Sequence, residues 1–279
     1  MSRIALLANP DSGSGNGYDV AGAMSADGAE VQEFGLDAVD DALATGPERI
    51  VVAGGDGSLG VAAAAAARGR VPLGVVPIGT ANDFARKLGL PDEPERAVRV
   101  AARGSETRSV DLAWMGDRPF LNVASIGLAP VAAEKASGLK RLLGPLAYAL
   151  GALRAGLAAQ PVECTVVCDG HEAFSGGAWQ ATVACSGAFG GGAELEADPS
   201  DGRLDAIAIE AGSRLALAWR AGGLRRGTIG AQAGVHTCGG TVVELTVPHG
   251  TAFNVDGEVV RSGPARFRAQ ARAVDVVVG

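Results

Sequence analysis

Over the first hundred residues, short apolar runs alternate with mixed, helix-forming stretches. Arg3 to Ala8 reads as a strand, a weak helix follows, and a second strand lies near Ala29 to Phe34. A helix over roughly Asp37 to Ala44 leads into Ile50-Val51-Val52, a run too short and too β-branched for a helix. The alanine-rich stretch ending at Ala67 is the next helix, because alanine is the best helix former. Pro72 to Ile78 reads as a buried strand, a helix begins after Gly79, and another spans about Glu93 to Arg103. This alternation predicts a parallel, doubly wound sheet, in which ligands sit beyond the carboxyl ends of the strands.

From Thr107 the pattern changes. Thr107 to Met115 and Pro119 to Ile126 read as two strands joined by a turn at Gly116-Asp117, and they carry Asp111 and Asn122. A helical stretch interrupted at Gly144-Pro145 runs to about Ala159. Strands then recur at Val162 to Cys168, Trp179 to Cys185, Leu204 to Ile209 and Thr241 to Val247, separated by glycine-rich turns. The fold class expected is α/β: a doubly wound nucleotide-binding domain over 1–110, then a β-rich, antiparallel sandwich-like domain over 111–279. The extreme C-terminus is free to return to the first domain.

Composition narrows this picture. Of 279 residues, 47% are hydrophobic but only 4% aromatic, so packing rests on Ala, Val and Leu. The net charge of −7 and the lack of a basic run argue against a nucleic-acid partner. Cys164, Cys168, Cys185 and Cys238 form no CxxC pair, so reduced, mostly buried thiols in a cytoplasmic protein are expected and zinc is not. Leu142 to Ala159, about eighteen residues, is marginal for a membrane span, and Gly144, Pro145 and Arg154 interrupt it. A non-spanning helix with an apolar face toward lipid is expected there.

The chemistry concentrates in four places. In Gly54-Gly55-Asp56-Gly57-Ser58 a glycine turn opens a helix, whose free N–H groups and dipole favour an anion; Ser58 can cap it. Asp56 would repel a phosphate unless a cation lay between them, and Mg²⁺ favours that mixture of carboxylate and phosphate oxygens. An ordinary βα turn would look the same. Thr80 and Asp83 fit both a second site loop and a plain helix cap with a first-turn acid. The turn Asp198-Pro199-Ser200-Asp201-Gly202-Arg203 could hold a hard cation or simply precede a strand. Asp256-Gly257 is a hairpin signal, while Glu258 beside it could act as a general base.

Together these segments resemble the diacylglycerol kinase catalytic family, in its bacterial lipid-kinase branch. The resemblance is carried by NPDSG at 9–13, GGDGS at 54–58, PLGVVPIGTANDFARKLGLP at 72–91 and PHGTAFNVDGE at 248–258, with DPSDG matching more loosely. GGDG alone is shared with NAD kinases and phosphofructokinases; GTANDFAR with FNVDGE is specific. The resemblance implies ATP and Mg²⁺ in a cleft between two domains. Asn9, Pro10, Asp11, Ser12 and Gly13, then Gly54, Gly55, Asp56, Gly57, Ser58, Leu59, Gly60 and Val61, then Thr80 and Asn82, would bind ATP. Asp56, Asp83, Asp111 and Glu258 would surround magnesium and the reacting phosphate, with Glu258 the proton acceptor and Asp256 orienting the site. A second, structural metal would use Asp201 and backbone oxygens near Asp198 and Arg203.

The implied substrate is a lipid with a free hydroxyl, met at the inner membrane face by a peripheral protein with no transmembrane segment. Diacylglycerol, a monoacylglycerol, a sphingoid base and a polyprenyl alcohol all fit. A kinase of NAD or a sugar, a weakened lipid- or nucleotide-binding homologue, and a homodimer stay open. Ser58 replaces the family's usual threonine, and Gly60-Val61 replaces its usual Asn-Glu pair, removing two polar contacts.

Overall fold

The first lobe holds the parallel strands β1 (Arg3–Ala8), β2 (Glu30–Phe34), β3 (Arg49–Gly54) and β4 (Leu73–Pro77), ordered β2-β1-β3-β4 across the sheet. The helices are α1 (Val20–Ala26), α2 (Val39–Ala44), α3 (Asp56–Gly69), α4 (Asp83–Leu88) and α5 (Pro94–Arg103). Ile4, Leu6 and Val51 face Met24 and Val98 on α1 and α5. Ala5, Leu7, Ile50 and Val52 face Ala42, Leu59 and Phe84 on α2, α3 and α4. Both faces of β1, β3 and β4 are therefore covered, and so they read as apolar runs, whereas β2 at the sheet edge is mixed in sequence and largely exposed. The computed structural model describes residues 2–8, 18–128, 130, 160–189, 193–194, 197–213, 230 and 232–279. Asn9 to Gly13, Leu142 to Ala159, Gly190 to Gly192 and Glu196 lie outside the described residues.

The second lobe holds β5 (Thr107–Met115), β6 (Arg118–Phe120), β7 (Val123–Gly127), β8 (Val162–Cys168), β9 (His171–Ala184), β10 (Ala188–Phe189), β11 (Ala193–Glu194), β12 (Leu204–Glu210) and β13 (Val235–Gly240). It closes with β14 (Val242–Thr246), β15 (Thr251–Val255), β16 (Glu258–Ser262) and β17 (Ala265–Val277). Its core gathers Phe120, Phe253 and Phe267 with Ala181, Val183, Val243 and Leu245. Few aromatics occur, yet Phe84, Phe120, Phe253 and Phe267 are among the largest fully buried side chains. The aromatics thus anchor cores that Ala, Val and Leu fill.

β17 joins the lobes. Its first half pairs antiparallel with β14 and with Leu112 to Met115 of β5; after a register shift between Gln270 and Val274 it pairs with Thr107 to Val110 of β5, and Val276 sits beside Leu73 of β4. The last strand thus extends the parallel sheet of the first lobe.

Several expectations are corrected. Pro119 to Ile126 is not one strand: it breaks at Leu121-Asn122 between β6 and β7. β9 begins eight residues before Trp179, at His171. The cysteines are not all reduced, since Cys168 and Cys238 form a disulfide with Cα atoms 6.2 Å apart. The partners lie 70 residues apart, and only the packing of β8 beside β13 brings them together. Cys164 and Cys185 are free and buried; burial pushes the Cys164 thiol up to about 11. Among the described residues no helix is long and apolar enough to cross a membrane.

α3 is wedged between the lobes, with Ala62, Ala63, Ala65 and Ala66 buried. A Cβ on Gly60 would lie 2.5 Å from the Pro119 carbonyl oxygen in β6, so only glycine lets helix and strand approach this closely. Gly60 therefore has a packing reason in this chain. Although alanine is the better helix former by roughly 1 kcal/mol, Gly60→Ala should destabilise the protein by about 1–3 kcal/mol through overpacking. A melting temperature above wild type would contradict this.

Candidate active site

The glycine turn after β3 sets the geometry. Gly55 is the N-cap of α3 with extended backbone (φ −104°, ψ −172°), and Asp56 is the first helical residue. Ser58, expected as the cap, lies inside the first turn and is buried, with its hydroxyl against Gly54. A Cβ on Gly79 would lie 2.5 Å from the Gly55 Cα, so the loops after β3 and β4 meet backbone to backbone. Asn82, in the left-handed region (φ 50°), donates its side-chain amide to the carbonyls of Pro77 and Gly79, both at 3.1 Å. Its Oδ1 is buried without a partner at this junction.

Thr80 does not cap α4 either, and Asn82 occupies the N-cap without a side-chain bond. Asp56 does the capping from the other loop: its carboxylate accepts the backbone N–H groups of Asp83 and Phe84, each at 3.1 Å. Asp83 is therefore held close to Asp56. Burial first, and the Asp56 charge second, push the Asp83 carboxyl up, while Arg86 at 3.2 Å opposes the shift.

The second lobe supplies the facing wall. Asp256 (φ 46°) and Gly257 (φ 93°) form the two-residue hairpin between β15 and β16, both with the positive φ such tight turns demand. The Asp256 carboxylate turns inward and accepts three successive backbone N–H groups, from Leu121 at 2.7 Å, Asn122 at 3.0 Å and Val123 at 2.9 Å. Those donors are what break β6 from β7. Burial pushes the Asp256 carboxyl up to about 7, aided by the Asp56 charge and opposed by the N–H groups. Asn122 then donates its side-chain amide to Asp56 at 3.0 Å and accepts the Ser186 hydroxyl at 2.8 Å.

Glu258, the next side chain along the hairpin, lies over the start of α3: a Cβ on Gly57 would come within 3.3 Å of its Cγ. It is half-exposed and ion-paired to Arg118 at 2.7 Å. Asp56, Asp83, Asp256 and Glu258, from three separate segments, are thus brought together. Asn122, Ser186 and Arg118 are the additional residues here. A polar Asn inside the apolar stretch FLNVASIG is a signal for the first; nothing in the sequence marks the other two.

Asp111 has a different set of partners, although its carbonyl accepts the thiol of Cys185, whose own N–H goes to the Asn122 carbonyl. Its carboxylate accepts the N–H of Gly202 at 2.6 Å and of Arg272 at 2.7 Å, and its own N–H donates to the Pro199 carbonyl. It ties the DPSDG turn to the irregular point of β17, and the charges acting on it are those of Asp201 and Asp198. Within that turn Asp198 accepts the N–H and hydroxyl of Ser200, Asp201 accepts the N–H of Arg203, and Arg203 reaches the Gly239 carbonyl. No group of three or more His, Cys, Asp or Glu poised for a metal occurs among the described residues.

The residues at the glycine turns suit a magnesium nucleotide. The two glycine loops pack backbone to backbone beside the N-terminus of α3, and the buried Asn82 oxygen lacks a partner. Asp56 already accepts three N–H groups, which leaves about one of its roughly four lone-pair positions for a cation or its water.

The Asp256 carboxyl also makes stability depend on pH. Its folded value of about 7 exceeds the ordinary carboxyl value of 3.8, so its stabilising contribution is full below the lower value and is lost as pH rises toward the upper. In metal-free buffer, denaturant melts should show wild type losing stability relative to Asp256→Asn between about pH 4 and 7. Parallel pH profiles would contradict the assignment.

Two family models cover nearly all of the chain. Residues 3–115 match the diacylglycerol kinase catalytic domain, and residues 122–278 match the YegS C-terminal NAD kinase beta sandwich-like domain. A "probable lipid kinase YegS-like" of Pseudomonas fluorescens is 31% identical over 93% of this chain and 86% of its own length. A diacylglycerol kinase of Mycobacterium tuberculosis is 30% identical over 78% of this chain and 76% of its own. A Pseudomonas aeruginosa "probable lipid kinase YegS-like" is 43% identical over 118 residues, where the match spans only 38% of that relative's length. In fold, the chain superposes over its full length on 97% of a diacylglycerol kinase from Bacillus anthracis (TM-score 0.75, 20% identity). An NAD kinase from Archaeoglobus fulgidus in complex with ATP shares the fold less closely (TM-score 0.54, 13% identity, 99% of this chain and 93% of that one). With both family models in the right order and relatives alike over most of its length, the chain belongs to the YegS-like and diacylglycerol kinase family of lipid kinases.

Proposed function

We propose that the protein transfers the terminal phosphate of ATP to the hydroxyl of a lipid, diacylglycerol or a close relative, at a membrane surface. One observation carries the reading: carboxylates from three distant segments meet at the start of α3, where backbone N–H groups and the helix dipole favour a phosphate. Glu258 would accept the hydroxyl proton; its half-exposed position beside Gly57 and its ion pair with Arg118 support that role. Asp56, with Asp83 next to it, would hold Mg²⁺, which when bound offsets the negative charge of the phosphates. Gly55 and Gly79 let the two site loops pack backbone to backbone beside the start of α3, where the phosphates would lie. Asp256 fixes the 121–123 backbone and through it the facing wall.

Labelled ATP supplied with magnesium and a total lipid extract should yield a labelled lipid. Glu258→Gln should lower the rate about 10²–10⁴-fold, the usual contribution of a general base, while near-native melting is retained. Asp56→Asn should also abolish transfer, with a modest stability loss from the weakened α4 cap. Label appearing on NAD or a sugar instead would redirect the reading to another alcohol, and normal turnover in Glu258→Gln would remove that residue from the mechanism.

A further inference from the structure

We infer that Asn122 is a positioning residue for the phosphoryl-transfer site, with Ser186 setting the direction in which its amide points. The inference rests on the kinase reading above.

Asn122 is 2% exposed and Ser186 is fully buried. Asn122 is held on four sides. Its backbone N–H goes to Asp256, and its carbonyl accepts the N–H of Cys185 at 2.8 Å. Its Nδ2 donates to Asp56 at 3.0 Å, and its Oδ1 accepts the Ser186 hydroxyl at 2.8 Å. The chemistry fixes the amide's orientation. An ionised Asp56 can only accept, so the NH₂ must face it, and the oxygen must then face the hydroxyl donor. Asn122 is thereby a direct side-chain tie from the 121–123 backbone clamped by Asp256 to the acid of the glycine turn.

This arrangement has a chemical consequence. The Asp56 oxygen that Asn122 engages also accepts the Phe84 N–H, so both neutral donors act on the same oxygen. The other oxygen, which takes only the Asp83 N–H, is the one left with acceptor capacity for a cation. Asn122 therefore selects which oxygen of Asp56 serves the metal, and it holds the carboxylate plane while doing so. Partners of this kind, bound to a metal-side carboxylate, typically affect metal affinity or activity 10–100-fold when removed.

The test is steady-state kinetics on the full chain with ATP, Mg²⁺ and the lipid extract, alongside thermal melting. Asn122→Ala should lower kcat by about 10–100-fold, leave the KM for lipid within about twofold, and raise the Mg²⁺ concentration for half-maximal rate. Ser186→Ala, which keeps the amide but frees it to turn, should shift the same quantities less, and it carries the test if Asn122→Ala does not fold. The double variant should be no slower than Asn122→Ala alone, because both act through one bond. Wild-type kcat and magnesium dependence in the single variants would overturn the inference, as would losses that merely add and follow melting temperature. If the wild type labels no lipid, the kinase reading fails separately. Calorimetry of ATP binding with and without Mg²⁺ then decides the inference: a magnesium-dependent gain that shrinks in Asn122→Ala supports it, and an unchanged gain overturns it.

Discussion

One buried carboxylate organises the place where the lobes meet. Three consecutive backbone N–H groups, from Leu121, Asn122 and Val123, can point to one side only if the strand stops being a strand, and Asp256 is what they point to. The interruption between β6 and β7 is thus the backbone answering a side chain from 134 residues along the chain. Everything near it follows. Asn122 is turned toward Asp56, Phe120 is seated in the second core, and Pro119 is pressed on Gly60 of α3.

Clustered acids are costly to bury unless something answers their charge. Here much of the answer is backbone. Asp56 closes the N-terminus of α4 with its two oxygens, and Asp256 takes three N–H groups, so neither carboxylate relies on a metal for its hydrogen bonds. A divalent ion would add charge neutralisation where the N–H groups leave it incomplete, as the raised Asp83 and Asp256 carboxyls indicate. The fold can therefore assemble the site before ligand arrives.

The alternation of strand and helix in the first lobe was legible because β1, β3 and β4 are covered on both faces and show as plain apolar runs. The Asp256-Gly257 hairpin was legible because its positive φ values restrict the residue types. Less legible were features that depend on distant partners. Thr80 and Ser58 look like caps locally, but the donors they might have served are met by Asp56 or lie within the turn. Asp111, on β5, has carboxylate partners that no local pattern announces: it fastens the DPSDG turn to β17. Gly60 looks like a lost polar contact until Pro119 is placed against it. The disulfide joins residues whose separation follows no local rule.

The central claim is that Asp56 and Glu258, from opposite lobes, flank one bound metal nucleotide at the start of α3. Crystals grown with Mn²⁺ and a non-hydrolysable ATP analogue, with the metal located by anomalous scattering, test it most directly. The account predicts a manganese peak beside Asp56, phosphates along Gly54 to Gly57, and Glu258 facing the terminal phosphate. Nucleotide bound away from α3, or manganese found only at the Asp198–Arg203 turn, would contradict it.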